Sequence, residues 1–566
     1  MSSGLGKGLL RGSLLSYGSF ILSKALLYLS TLLLARLLAP RDFGLVGYAL
    51  LAISLLDVMK DLGVTSALIY RQDMGDDEAG DAFTLNVASG LAFCVLCWFL
   101  GPLAAAFFHD PRVTTLTRVL GLSFILYGLG GVHGALLQKR LRFGRGFLPD
   151  LVQGAVKGGV SVGLALHGVG YWSLVWGHLA GVAATTVANG LLLPWRPRFG
   201  LRRVATRRLL GYGLQITLIS LLGVIIYNGD YLIVGRVLGS AALGLYTLAY
   251  SIPQMLTLSL SIALSRVFFP AYAAIQSDRP GLQRGYLAVL RYSALVLVPL
   301  GLGLCVAAPA FVHALYRPVW WAAVPALQAL ALYATIYAVG WNAGDIYKAT
   351  GRPDLQWKLD IAHLTVLLPT LLVGALHGGF VGVALAQVAV AIPYSVARFW
   401  LIRRILNLDA AAIVDALRVA ALAGLALLGA SALVALIAGD RMAPLATLAL
   451  QGAIGSVTYG GAVLGLDPRI RRRLWRAVGV RAVGTGHQED HVSELAVEDL
   501  PAPPPVSPSV SPSVFDRLHP YAVGVSRDGG GDGDVDQAAG RRHHADGFIH
   551  RQQDATHAHR QQEAAS

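Results

Sequence analysis

The stretch ARLLAPRDFGLVGYA at residues 35–49 returns without a gap as GRVLGSAALGLYTLA at residues 235–249. Arg36 and Arg236, Leu38 and Leu238, Gly44 and Gly244, Leu45 and Leu245, and Ala49 and Ala249 coincide at an offset of 200. Each copy lies between two long apolar runs. A second match, Ala165-Leu166-His167-Gly168 against Ala375-Leu376-His377-Gly378, has an offset of 210. Two independent matches at nearly one offset read as a single membrane module written twice. Duplicated membrane modules commonly form transporters, with a central site between the halves.

Composition agrees. The 566 residues are 55% hydrophobic and only 14% charged, with a mean hydropathy of +0.58. A soluble domain carries nearer about a quarter charged residues. Apolar runs of about twenty residues recur as far as residue 465, the pattern of a helical protein that crosses the membrane many times. The first run, 13–38, is longer than a signal-peptide core of about 7–15 residues, and no small-residue cleavage site follows it. It reads as a retained span. The net charge of +14 does not indicate nucleic acid, because the basic residues sit at helix ends and in the tail, with no basic stripe interleaved with aromatics. Cys94 and Cys97 form a CxxC inside an apolar run, and Cys305 lies in another. Neither setting suits a redox or zinc site, so no metal is expected.

The sequence predicts an all-α, polytopic membrane protein of about 14 transmembrane helices. Residues 1–12 form a cytoplasmic N-terminus, 13–193 a first lobe of six helices, 194–208 a basic cytoplasmic linker and 209–402 a second lobe of six. A helical hairpin at 413–465 and a tail at 482–566 follow. An even number of spans per repeat makes the two copies enter from the same side, as a parallel repeat. Loops 137–147, 194–209 and 348–358 are rich in Arg and Lys, whereas the His-Gly hairpins at 167–170 and 377–380 carry neither. The positive-inside rule puts the basic set, and both termini, in the cytoplasm. The acidic loop 71–81 does not conflict, since that rule does not count net charge. The Pro, Ser, Gly and His-rich tail cannot bury a core and is expected to be disordered.

LARLLAPRDFG (34–44) and DLGVTSALIYR (61–71) resemble the opening of the polysaccharide-transporter family. These are the Wzx-type oligosaccharide flippases and the related teichuronic and colanic acid exporters of the MOP superfamily. NGDYLIVGRVLG (228–239) and LGLYTLAYSIPQ (243–254) are similar to the start of that family's second half. FPAYA (269–273), the stretch from Leu315-Tyr316 to Trp320, and Gly351-Arg352-Pro353 fit too. The resemblance covers roughly residues 10–465 and is specific for fold and class, not for cargo. It implies two six-helix lobes in a V, with helices 1, 2, 7 and 8 lining a cavity. The cargo it implies is a polyprenyl-diphosphate-linked oligosaccharide of a surface polysaccharide, flipped across the bacterial cell (inner) membrane. The polymerase and glycosyltransferases of one pathway, and a coupling ion (H+ or Na+), would be its partners. An ion-coupled multidrug exporter of the same superfamily is the alternative within transporters. A membrane-embedded polymerase or ligase is disfavoured because every outer loop is short.

No P-loop, HExxH or GxSxG occurs in a suitable context, so neither an enzyme nor a cofactor is expected. Intramembrane charge is the informative signal, since each ionised residue near a helix centre costs about 2.5–3.5 kcal/mol on insertion scales. Lys24 falls deep in helix 1, Asp57, Lys60 and Asp61 in helix 2, Asp230 towards the outer end of helix 7, and Arg266 at the inner end of helix 8. Lys24, Asp57, Lys60, Asp230 and Arg266 are the candidate cavity residues. Lys157, in a Gly-rich helix 5, reads as a packing residue, and His178 and His363 as buried, hydrogen-bonded histidines. Arg36 and Arg236 occupy equivalent outer helix ends, each eight residues ahead of Gly44 or Gly244. The pair suggests a repeated structural latch onto the carbonyls of the turn that follows.

Overall fold

The structure, a computed structural model, describes residues 26–60, 63–65, 68, 76–139, 148–197, 199–200, 224, 228–352, 354–438 and 441–472. Residues 13–25 of the first expected span, Lys24 with them, lie outside the described residues. So do Asp61, most of the 194–208 linker and the 482–566 tail.

The described chain is helical, with no strand among the described residues. After a short apolar helix, Leu26–Leu37, come α1 (Pro40–Met59), α2 (Asp76–Phe108), α3 (Arg112–Lys139), α4 (Leu148–Leu166) and α5 (Trp172–Leu192). A helix at 228–238 precedes α6 (Ser240–Pro253), a π-helical turn (Gln254–Leu258), α7 (Ser259–Ala274) and α8 (Arg279–Leu315). Then follow a 3-10 turn (Pro318–Ala323), α9 (Val324–Val339), α10 (Ala343–Ala349), α11 (Asp354–Leu406), α12 (Ala410–Ala438) and α13 (Pro444–Leu466). Among the described residues, seven helices are long and apolar enough to cross a membrane. The longest, α11, is two helices broken at Gly379, whose φ of 58° and ψ of −150° are not helical. Only glycine takes that conformation without strain, which is why the second His-Gly hairpin turns there.

Local sequence accounts for the helix ends. Pro40 opens α1, where its missing N–H costs nothing, and the Asp42 carboxylate accepts the Ala39 N–H at 3.0 Å. The second copy uses Gly239 at φ +88° instead. Asp278 caps α8 by accepting the Gly281 N–H at 3.0 Å. Pro253 ends α6 and a π turn continues it. Such turns interrupt the regular ladder and mark places where a helix can bend.

Small residues let the helices approach. A Cβ at Gly90 would meet the Phe124 carbonyl oxygen at 2.5 Å, and one at Gly128 the Asn86 carbonyl oxygen at 2.6 Å, so α2 and α3 pack backbone to backbone. In α4 the glycines expected to pack do so unequally. Gly158 faces Ser30, whereas Gly159 and Gly163 face open space. The close approach of α4 to α5 is made instead by Gly177 and Gly181 of α5, the latter against the Lys157 stem. The α12–α13 hairpin docks on α8: Arg291 reaches Asp467 at 3.5 Å, and the Tyr459 hydroxyl donates to the Leu295 carbonyl at 2.9 Å.

Large apolar side chains stay bare on the outer surface, among them Leu436 (81% exposed) and Val457 (75%) on the hairpin. A soluble protein would not leave so much contiguous apolar surface exposed. In hydrocarbon it carries no cost, provided backbone groups are satisfied within helices. The chain is a multi-pass membrane protein.

Candidate functional site

The two copies of the repeat touch each other. Gly44 in α1 lies so close to the Ser240 carbonyl that a Cβ there would fall inside it. Gly244 in α6 lies the same way against the Pro40 carbonyl. Pro40 and Ser240 are themselves equivalent, 200 residues apart. Each half thus presents a glycine to the start of the other half's helix, and the contact is reciprocal. Ala35, Ala49 and Ala249 around it are fully buried. Such a backbone-on-backbone seam excludes water and tolerates only glycine at its two centres.

Arginines flank the seam, but not as a latch onto their own following turns. Arg36 Nε donates to the Leu315 carbonyl at 2.8 Å, across to the end of α8. Arg317 Nη1 returns a bond to the Arg36 carbonyl at 3.4 Å, and the buried Trp320 donates its Nε1–H to the Ala35 carbonyl at 2.7 Å. On the other flank Arg236 Nη1 meets His109 Nδ1 at 2.7 Å, across to the end of α2, and stands over the Phe107 ring. The Tyr48 hydroxyl donates to the Gly235 carbonyl at 2.9 Å, and its ring stacks on Phe108 at 4.2 Å. The terminal carbonyls of a helix lack partners within it, so a neighbouring helix end is the better acceptor.

Asp57 and Lys60 come together, as their spacing on one helix face allows, with Nζ 3.1 Å from Oδ1. The ammonium also lies 3.8 Å from the Tyr127 ring centroid in α3. Ser89 of α2 donates to the Lys60 carbonyl at 2.8 Å. Lys60 and Lys157 both stand within electrostatic reach of His178.

Asp230 is enclosed by hydrogen-bond donors. It is only 3% exposed. Its carboxylate accepts from the Tyr246 hydroxyl at 2.9 Å, Gln387 Nε2 at 3.0 Å and the Tyr231 N–H at 2.8 Å. Tyr250 and Tyr333 extend the aromatic wall. Three donors are what a carboxylate needs to remain buried at acceptable cost. Arg266 belongs to α7, and its side chain lies outside the described residues.

Sequence reading passed over a second polar group in the second half. Arg398, 3% exposed, stands over the Tyr337 and Tyr394 rings and donates to the Trp341 carbonyl at 3.4 Å. Tyr394 donates to Asp360 at 2.6 Å, and His363 stacks on it at 4.2 Å. Ser265 donates to the buried Asp345. The available signal was a charge within the apolar 380–402 run. It was hidden by Arg403 and Arg404 just beyond, which read as a cytoplasmic helix end.

These features define a polytopic helical membrane protein whose two halves meet reciprocally. The solved structure of the lipid II flippase MurJ in an inward closed conformation shares the fold, with a TM-score of 0.61 at 14% identity over 82% of this chain and 99% of that one. A family model described as polysaccharide biosynthesis protein matches residues 33–325, and the chain belongs to that family. It is a member of the polysaccharide-transporter group of the MOP superfamily, as the motifs at 34–44 and 228–254 indicated. The chain is 28% identical to the lipopolysaccharide biosynthesis protein WzxC of Escherichia coli K12, over 63% of this chain and 73% of that protein. It is 26% identical to the teichuronic acid biosynthesis protein TuaB of Bacillus subtilis 168, over 63% and 74%.

Proposed function

We propose that this protein flips a polyprenyl-diphosphate-linked oligosaccharide across the bacterial cytoplasmic membrane by alternating access between its halves, for surface polysaccharide synthesis. The observation that carries the reading is a family match over residues 33–325, which takes in both occurrences of the 35–49 motif, in a fold whose halves are clasped at one end. Its action is transport, not catalysis. In this reading the clasped end is the outer one, because the positive-inside rule assigns the basic loops 137–147, 194–209 and 348–358 to the cytoplasm. Both termini are then cytoplasmic, and the seam faces outward. Residues 13–193 and 209–402 are the two moving lobes, with 413–465 outside them.

The diphosphate head needs cations on its path, and the sugars need hydroxyl partners, while the lipid tail stays in hydrocarbon. Lys24, Lys60 and Arg266 supply the positive lining in this reading. Asp57, already paired to Lys60, balances the empty site. A coupling ion, H+ or Na+, requires a carboxylate shielded from bulk water, and the burial of Asp230 supports that role, its three donors having to yield when the ion binds. The polymerase and glycosyltransferases of the same pathway would supply and consume the cargo.

Complementation of a flippase-deficient strain tests the reading. The full chain should restore surface polysaccharide. Lys24→Ala should abolish rescue at normal protein level, and Lys24→Arg should retain part of it, because a diphosphate needs charge more than one hydrogen-bond geometry. Absence of rescue by the full chain, together with export of cationic dyes, would favour the multidrug alternative.

A further inference from the structure

Arg36 and Arg236 are equivalent in the repeat, and each reaches across the seam, but their acceptors differ in kind. Arg36 holds a backbone carbonyl, which does not titrate. Arg236 holds an imidazole nitrogen. A guanidinium is a donor only and keeps its charge at every physiological pH. The bond therefore requires His109 to be neutral, with Nδ1 as acceptor. Protonation at Nδ1 removes the lone pair and leaves two cations facing each other at hydrogen-bond distance. The pair is exposed, so protons reach it from the solvent at that end.

The surroundings leave His109 as the responsive group. Asp110, next in the chain, accepts from Arg112 Nε at 3.0 Å and Nη2 at 2.8 Å. That hydrogen bonding holds its carboxyl below the usual range, helped by Arg41 from α1. It therefore stays ionised throughout the mildly acid range. Asp42 of α1 and Tyr171 of the α4–α5 connection act on Arg112, and Asp110 reaches Tyr48. Among these neighbours, Arg236 is the one that bonds the ring.

We propose that His109 is a proton-binding site of the outer seam: taking up a proton from the external solution releases Arg236 and biases the seam towards opening. The ligand is the proton itself, and the event needs no cargo. The inference rests on the outward orientation proposed above.

Cysteine accessibility tests it on the full chain in right-side-out vesicles, with Cys94, Cys97 and Cys305 replaced by alanine. Ser251→Cys lies about two helical turns inward of the Gly244 contact, and its carbonyl accepts the Tyr28 hydroxyl at 3.0 Å. Labelling by a membrane-impermeant maleimide should rise about three- to tenfold as external pH falls from about 8 to about 5.5, the range in which imidazole titrates. The labelling is read as a fraction of that in denaturant, to remove the reagent's own pH dependence. His109→Gln keeps an acceptor but cannot take up a proton, and should hold labelling low and flat. Arg236→Gln should hold it high and flat. Val169→Cys, on the hairpin at the same end, reports orientation. If Val169→Cys is labelled from outside and His109→Gln keeps the pH slope, or the parent has none, the proton site is overturned while the flippase reading stands. If Val169→Cys is not labelled from outside, the orientation fails and the external proton site with it.

Discussion

The Arg36 flank of the seam and the Arg236 flank begin from equivalent sequence and end with different chemistry. On the first, an arginine, a second arginine and an indole all bond backbone carbonyls. On the second, an arginine bonds a histidine and a tyrosine bonds a carbonyl, with Phe107 and Phe108 beneath them. The first flank is a fixed clasp and the second responds to protons. A duplicated module needs both copies of the glycine, because the close approach is shared. It does not need both latches alike, because each arginine meets residues that the repeat does not specify.

The largest expected effect is on the fixed flank. Trp320 is wholly buried, meets Phe43 edge-on at 5.3 Å and spans the seam to Ala35. Trp320→Ala should cost about 3–5 kcal/mol, the range for truncating a buried large aromatic, visible as a drop in melting temperature in detergent. A small effect would mean that this flank is not the clasp.

Reciprocity itself is tested next. Gly44→Val and Gly244→Val each drive a branched side chain into a backbone carbonyl of the other half. Ordinary overpacking costs about 1–3 kcal/mol; a seam that parts to relieve the clash opens by roughly ten- to a hundredfold in equilibrium on that scale. Labelling of Ser251→Cys from outside should rise by similar factors in the two variants. A response from only one would break the symmetry of the contact.

The smallest expected change separates the flanks by pH. Arg36→Gln removes an exposed, charge-assisted bond, for which about 1 kcal/mol is the scale after solvent screening. Its effect on labelling should be the same at pH about 8 and about 5.5, since carbonyls do not titrate in the range of histidine. The sign for Asp110 runs the other way from His109. Its lowered carboxyl contributes fully at neutral pH and is lost only as pH falls below the ordinary carboxylate value of about 4. The His313 ring lies 4.3 Å from that of Trp321 beside the Arg36 flank, so the acid opening assigned to the His109 flank is the part that His109→Gln abolishes.

Much of the architecture was legible from periodic apolar runs and one repeated motif, because a bilayer leaves few solutions to a chain of this composition. The pairing of Asp57 with Lys60 followed from helical spacing alone. Asp230 was legible as an expensive intramembrane charge, but not its enclosure, which depends on Tyr246 and on Gln387, 157 residues away. Arg398 was overlooked because a charge near a helix end has an ordinary explanation in membrane topology.

The sequence by itself determined that the chain is a membrane protein of two related halves, and that Gly44 and Gly244 hold one office in each. Apolar length and internal repetition are local properties that survive without coordinates. Only the tertiary structure decided that these glycines face each other's helix starts, and that Arg36 ends on a carbonyl while Arg236 ends on an imidazole. Partners across a seam between halves come from segments more than a hundred residues apart. No spacing rule reaches that far, so their chemistry is fixed by packing alone.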